Sequence, residues 1–268
     1  MATQPRMARP TRVRSPLLGV FTVAIATLLV SSIWAWAEDR SGTVPIPADP
    51  APNSTEEDDR DVVIDESSGE NVWSGLGTEP GLTLPSNWRE VDVRTERHDD
   101  EEVTVTRYQP TEEIRLGGPH VSVVSGEDDR LVGCTALDPD ANNDPRDLPD
   151  VEQARQAAYS WLGRTDEDYL QGLTEQWVDR HDETIVDEDG NEHVIPGVKV
   201  KTRHEDGRYA WVVIGADSRV VTFERDVAWD TAAQRRATQM WLHDVWIAAL
   251  EGSGKQPSPP AALVDHAA

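Results

Sequence analysis

From Leu17 to Ala37 the chain carries no charged residue, while Arg6, Arg9, Arg12 and Arg14 stand before it and the first acid is Glu38. These 21 residues, at about 1.5 Å of rise each, would make a helix of about 31 Å, enough to cross a bilayer core. A basic stretch followed by an apolar one is the pattern of an export segment. Ala35-Trp36-Ala37 fits a small-residue cleavage site, whereas the length of the stretch and the interfacial positions of Trp34 and Trp36 fit a retained anchor. Both readings stand, and in both the arginines stay inside while the acidic body goes out. The expected location is therefore the cell membrane, single-pass with the C-terminal domain outside, or the secreted space.

That body is strongly acidic. The chain has 25 basic and 50 acidic residues; with the four leader arginines set apart, the remainder holds 21 basic residues against 50 acidic, a net of −29. Such a field repels phosphate backbones, so a nucleic-acid partner is excluded, and the membrane is reached only through residues 17–37 if they are retained. Only Lys199, Lys201 and Lys255 are lysines. Cys134, the single cysteine, permits no intrachain disulfide and reads as a small buried strand residue.

Composition divides the chain into five parts: residues 1–37, leader or anchor; 38–86, an acidic Pro/Gly/Ser linker with too few apolar residues to order itself; 87–148, a first unit, mostly strands; 149–252, a second unit with a C-terminal helix; and 253–268, a loose tail with Pro257, Pro259 and Pro260. In the first unit, residues 88–93, 102–108, 120–125 and 130–137 have the composition and alternation of four antiparallel strands. Asp150 is an N-cap, with Pro149 before it and Gln153 three residues on, opening a helix whose apolar face is Ala154, Ala157, Ala158, Trp161 and Leu162, with Gly163 ending it. A short helix over 167–173 follows. Strands over 176–186, 193–204, 209–214 and 220–224 come next, with Asp206-Gly207 as a hairpin turn. A last helix is expected from Thr231, capped with Gln234, to Leu250, its buried seam being Trp241, Leu242, Val245, Trp246 and Ala249.

The two strand sets repeat. Thr95–Asp100 parallels Val178–Glu183, His120–Val124 parallels Tyr209–Val213, and an acidic turn follows each of the latter pair. The fold class that follows is α+β: two repeated antiparallel four-stranded meanders, each backed by a helix, behind an N-terminal transmembrane or signal helix. The helix ending Ala157-Ala158-Tyr159-Ser160-Trp161-Leu162, the strand Tyr209–Val213 and the Asp-Ser turn before Val220 resemble a PepSY-type domain, the small fold of peptidase propeptides and related exported regulators, over residues 151–224. The unit before it would be a second, degenerate copy. The resemblance implies a non-catalytic role, in some members the inhibition or regulation of proteases, and it brings no catalytic residues with it. The extension from Trp229 to Leu250 departs from that pattern.

No catalytic residue, cofactor-binding residue or metal ligand is nominated. His98-Asp99, His181-Asp182 and His243-Asp244 are adjacent pairs; on a strand neighbours point to opposite faces, so His98 and Asp99 cannot share a metal, the repeat accounts for the first two pairs, and the third lies on the last helix. His243 reads as a hydrogen-bonded core or interface histidine. Asp138, Asp140, Asn142 and Asp144 have calcium-loop spacing, but Asn143 stands where glycine is required and Pro149 where a bidentate Glu is. The expected function is a non-catalytic extracytoplasmic binding or regulatory module with an envelope protein or peptide partner. A cell-envelope hydrolase and a structural surface protein are the alternatives.

Overall fold

The computed structural model describes residue 82 and residues 84–264. The leader, and most of the linker, lie outside the described residues. Among the described residues no helix is long and apolar enough to cross a membrane.

Eight strands form one antiparallel sheet: β1 (Arg89–His98), β2 (Glu101–Gln109), β3 (His120–Ser125), β4 (Leu131–Leu137), β5 (Leu173–Val186), β6 (Glu192–His204), β7 (Tyr209–Ile214) and β8 (Val220–Val227), in the order β1-β2-β3-β4-β8-β7-β6-β5. The expectation of two separate four-stranded meanders, each backed by its own helix, is therefore wrong. The strands exist close to where their patterns put them, but the last strand of each meander pairs with the other. Gly133 stands opposite Glu224, Cys134 opposite Phe223 and Thr135 opposite Thr222. Left apart, β4 and β8 would each present a row of unpaired backbone donors and acceptors; joining them removes two edges.

The repeat is visible around this junction. Gly126 N–H donates to Arg130 O at 2.8 Å and Gly215 N–H to Arg219 O at 2.9 Å, closing the same one-turn 3-10 segment between β3 and β4 and between β7 and β8. Asp206-Gly207 turns as expected, with Gly207 at φ +94°. The sheet ends at β1 and β5, whose exposed residues include Arg89, Glu90, Arg97, Asp179 and Arg180, charges that discourage edge-to-edge pairing.

The helices lie on opposite faces of the sheet. Helix α1 (Val151–Thr165) has a capping box, with Gln153 N–H donating to the Asp150 carboxylate at 2.9 Å, and runs past Gly163. It lies across β5–β7, followed by α2 (Glu167–Gln171). Its Ala154, Ala158, Trp161 and Leu162 share a core with Leu82, Leu84, Trp88, Val121, Val123, Cys134, Val200, Val212 and Phe223. This is the helix face, and Cys134 is buried in it, its thiol pushed up by that burial.

On the other face the long C-terminal helix expected from Thr231 is mostly absent. Asp230 Oδ1 accepts from Ala232 and Ala233 N–H at 2.9 and 3.0 Å, a local turn that competes with helix. The chain instead makes a small hairpin of β9 (Trp229–Asp230) and β10 (Arg235–Arg236), an extended stretch, and α3 (Asp244–Leu250). Met240, Trp241, Leu242, Trp246 and Ile247 of this strap pack on Val103, Val105, Val124 and Val132. Of the expected seam, Val245 is 68% exposed and the other four are buried. Gly133 lets the strap sit down: a Cβ there would meet Leu242 Cδ1 at 2.9 Å and Phe223 O at 3.0 Å. The chain end, whose prolines read as a loose tail, runs back along the strap over its described residues, with Ala262 buried and Arg236 N–H donating to Pro260 O at 2.8 Å.

Candidate functional site

The strap face of the sheet is charged. Alternation along β6 places Val198 and Val200 in the helix-face core and Lys199 and Lys201 opposite. Pairing then carries a polar row across the sheet. Lys199 faces Val213, which faces Thr222; Thr222 faces Thr135, Thr135 faces Ser122, and Ser122 faces Arg107. The next row sets Trp177, Lys201, Trp211 and Glu224 side by side. Both lysines, Arg107, Thr135, Thr222 and Glu224 are buried. A buried charge is costly unless partnered, so the interest of this face lies in its partners.

Two acids anchor the strap. Glu224 of β8 accepts from the Arg236 guanidinium and lies 2.8 Å from His243 Nε2. Arg236 also donates to Thr238 Oγ1 at 3.0 Å and to Gln239 O at 2.7 Å. Burial alone would raise the Glu224 carboxyl, but Arg236 and His243 outweigh it and hold it well below the ordinary range. The second anchor is Asp244 of α3, gripped by both terminal nitrogens of Arg107 at 2.7 and 2.8 Å and by Gly117 N–H. His120 Nδ1 is 3.6 Å from it. Here too burial pushes the carboxyl up and His120 and Arg107 bring it below its ordinary value.

A ladder of cations on aromatic rings runs along β6. Lys199 Nζ is 3.9 Å from the centroid of Trp211. Lys201 Nζ is 4.4 Å from Tyr209 and 5.6 Å from Trp177, and the Arg203 guanidinium is 5.7 Å from Tyr209. Exposure rises along it: Lys199 is 3% and Lys201 7% exposed, Trp177 and Tyr209 are half-buried, and Arg203 is open. Burial lowers Lys199 to about 7, helped by Lys201 and Arg236 and opposed by Glu224 and Glu183. Burial alone lowers Lys201 to about 8. An ammonium over a ring face keeps part of its stabilisation when water is removed.

His98, at the end of β1, is 5% exposed, and neither ring nitrogen has a hydrogen-bond partner among the described residues. An unpaired buried polar group costs about 1–3 kcal/mol. Its imidazole is lowered to about 4 by burial first and by Arg236 second, against Glu224, Asp226 and Asp99.

The adjacent His-Asp pairs are divided, though only His181-Asp182 lies within a strand. Asp99 has left the strand at φ 57° and meets Arg208 at 2.6 Å, away from the His98 ring. His181 bonds Glu183 at 2.9 Å, and Asp182 meets Arg180 at 2.5 Å. His243 and Asp244 serve the two different anchors. The loop of Asp138, Asp140, Asn142 and Asp144 folds on itself: Asp138 Oδ1 accepts from Asp140 N–H at 2.9 Å, Asn142 Oδ1 from Asp144 N–H at 3.1 Å, and Arg146 grips Asp144. No group of three or more His, Cys, Asp or Glu among the described residues is placed to hold a metal ion.

Sequence reasoning missed Lys199, Lys201, Glu224, Arg236 and Arg107 as members of a site. The one signal was Val198-Lys199-Val200-Lys201 in a chain with only three lysines, but alternation reads as one wet face, and here both lysines are buried. Neither the family models nor the curated proteins compared with this chain give a match.

Proposed function

We propose that the protein is a non-catalytic extracytoplasmic binding or regulatory module, carried on the membrane by residues 17–37 or secreted after their removal, whose ligand is a carboxylate-bearing peptide of the cell envelope. The observation that carries this reading is the ladder of Lys199, Lys201 and Arg203 on Trp211, Tyr209 and Trp177, buried at one end and open at the other. On so acidic a chain, cations collected on aromatic rings are a local exception to the repulsive field. Arg203 offers a planar donor set for a carboxylate, and Trp177 and Tyr209 offer flat amphipathic area at small entropic cost. The resemblance to PepSY-type domains over residues 151–224, which contain the whole ladder, fits a module that binds and regulates.

A carboxylate brought beside Lys201 raises its pKa from about 8, so binding at pH 7.5 takes up a fraction of a proton, about a quarter at most. Calorimetry of the full-length protein with a short Glu-containing peptide at pH 7.5, in two buffers of different ionisation enthalpy, tests this. Net proton uptake is expected, with Arg203→Ala and Lys201→Met each weakening affinity about tenfold, the equivalent of about 1.4 kcal/mol. Binding unaffected by both substitutions, or no binding, sinks the assignment. Cleavage of the peptide would make the protein a hydrolase instead.

A further inference from the structure

We infer that the strap, residues 236–250, is a latch that mild acid releases from the sheet, and that His98 is the group that opens it. The strap closes over His98 from both sides. Trp241 Nε1 donates to Arg97 O at 2.8 Å, one residue before the histidine, and Gln239 Oε1 accepts from Asp99 N–H at 2.7 Å, one residue after. Between these bonds the imidazole is shut in with both nitrogens unpartnered among the described residues, so a proton arriving there finds no acceptor among them.

The charges facing His98 come from each element around it: Arg236 from β10, Glu224 and Asp226 from β8, Asp99 beside it in the chain, and Glu101 opposite it on β2. The acids nearest the ring are already engaged. Glu224 is held by Arg236 and His243, Asp226 by Arg130 at 2.7 Å and Arg225 at 3.3 Å, Asp99 by Arg208, and Glu101 by Arg130. Arg236, by contrast, repels an imidazolium. His120 sits under the other anchor, facing Asp244, Arg107 and Glu183, with Nδ1 bonded to Gly118 O at 2.8 Å and Nε2 unpartnered; burial lowers it as well. Opening the strap wets the His98 ring, whereas the helix-face core has no part in this and stays closed.

The sign follows from linkage. His98 titrates at about 4 when the latch is closed and near 6.5 when it is open, so the open form binds more protons between those values and is favoured as pH falls through that window. Glu224 and Asp244 stay ionised there, because both lie below their ordinary values. Between pH 7.5 and pH 5 the opening equilibrium rises about 30-fold from His98 alone.

Hydrogen exchange of the full-length chain, read by mass spectrometry over that range, tests the latch. The opening equilibrium of 236–250, taken as the exchange rate divided by the intrinsic amide rate at each pH, should rise about 30-fold or more while the segments of α1 and β6–β7 hold their protection. His98→Phe, which fills the site without a titrating group, should reduce the ratio by about that factor, and the wild-type profile stands as a test even if the variant folds poorly. Loss of protection in all strands at one pH would mean global acid unfolding and overturn the latch. So would a pH-independent strap in the wild type, or a His98→Phe protein with the wild-type ratio.

Discussion

Across the same strands, the face under α1 buries Val121, Val123, Cys134, Val200, Val212, Ile214 and Phe223, while the face under the strap buries Arg107, Thr135, Lys199, Lys201, Thr222 and Glu224. Both faces are closed to water, yet they are held by different means. Area removed from water stabilises the helix face, at about 25 cal/mol per Å², and needs no particular partner. The strap face has an apolar cluster too, Met240, Trp241, Leu242, Trp246 and Ile247 on Val103, Val105, Val124 and Val132, but adds two acids, Glu224 and Asp244, that each meet a cation at hydrogen-bond distance. Buried ion pairs of this kind add little net stability over a hydrophobic replacement, but removing one member is severe. A strap docked this way has few well-bonded positions, and it responds to pH as the apolar face does not.

The largest break in the comparison is removal of the strap. Ending the chain after Asp230 strips Arg236 and His243 from Glu224 and Asp244 from Arg107, and uncovers Val103, Val105, Val124 and Val132. The truncated protein should aggregate on size-exclusion chromatography at neutral pH. A soluble monomer with unchanged melting would show that the strap is not part of the core.

Next in size is a matched pair. Trp161→Ala on the helix face should cost about 3–5 kcal/mol through lost burial and a cavity, and Asp244→Ala about 3–5 kcal/mol through an orphaned Arg107. Denaturant melts at several pH values separate them. The Asp244 carboxyl is held below its ordinary value, so its stabilisation is complete above the ordinary pKa of 3.8 and is lost as pH falls through the folded value. The Asp244→Ala protein should lack that acid loss and the Trp161→Ala protein should keep it. Parallel pH profiles for the two would erase the distinction between the faces.

The smallest effect concerns Lys199. Its folded pKa of about 7 lies below the free value of 10.5, so the unfolded chain binds more protons between the two, and stability should rise with pH across that window. Lys199→Met should melt no lower than the wild type at pH 7 and show a flatter rise to pH 9. A marked loss of stability in that variant would mean that the ammonium is held by more than it costs to bury.

Elements defined by local chemistry were legible in the sequence. Asp150 and Gln153 form the capping box because both partners lie within one turn; His120–Ser125 and Tyr209–Ile214 are strands because their residues favour extended backbone; Gly207 turns because it accepts positive φ. The likeness of the turns that precede β4 and β8 was legible too, but Thr95–Asp100, which ends in the β1–β2 turn, and Val178–Glu183, inside β5, do not correspond. Tertiary structure decided what those elements were for. Nothing local tells β4 and β8 to pair with each other, because that preference comes from the edges they would otherwise leave open. Nor does anything local tell the run after Thr231 to form a short hairpin, an extended stretch and one short helix; its apolar residues answer to a sheet surface and not to a helical period. The charged site was hidden for the same reason. Lys199, Lys201 and Glu224 alternate with apolar residues as solvent-facing side chains do, yet all three are buried; Glu224 joins its anchor only when Arg236 and His243 bond it, and Arg107 only when Asp244, far along the chain, does. Alternation states which residues share a face; what covers that face is a long-range contact, and only the folded chain contains it.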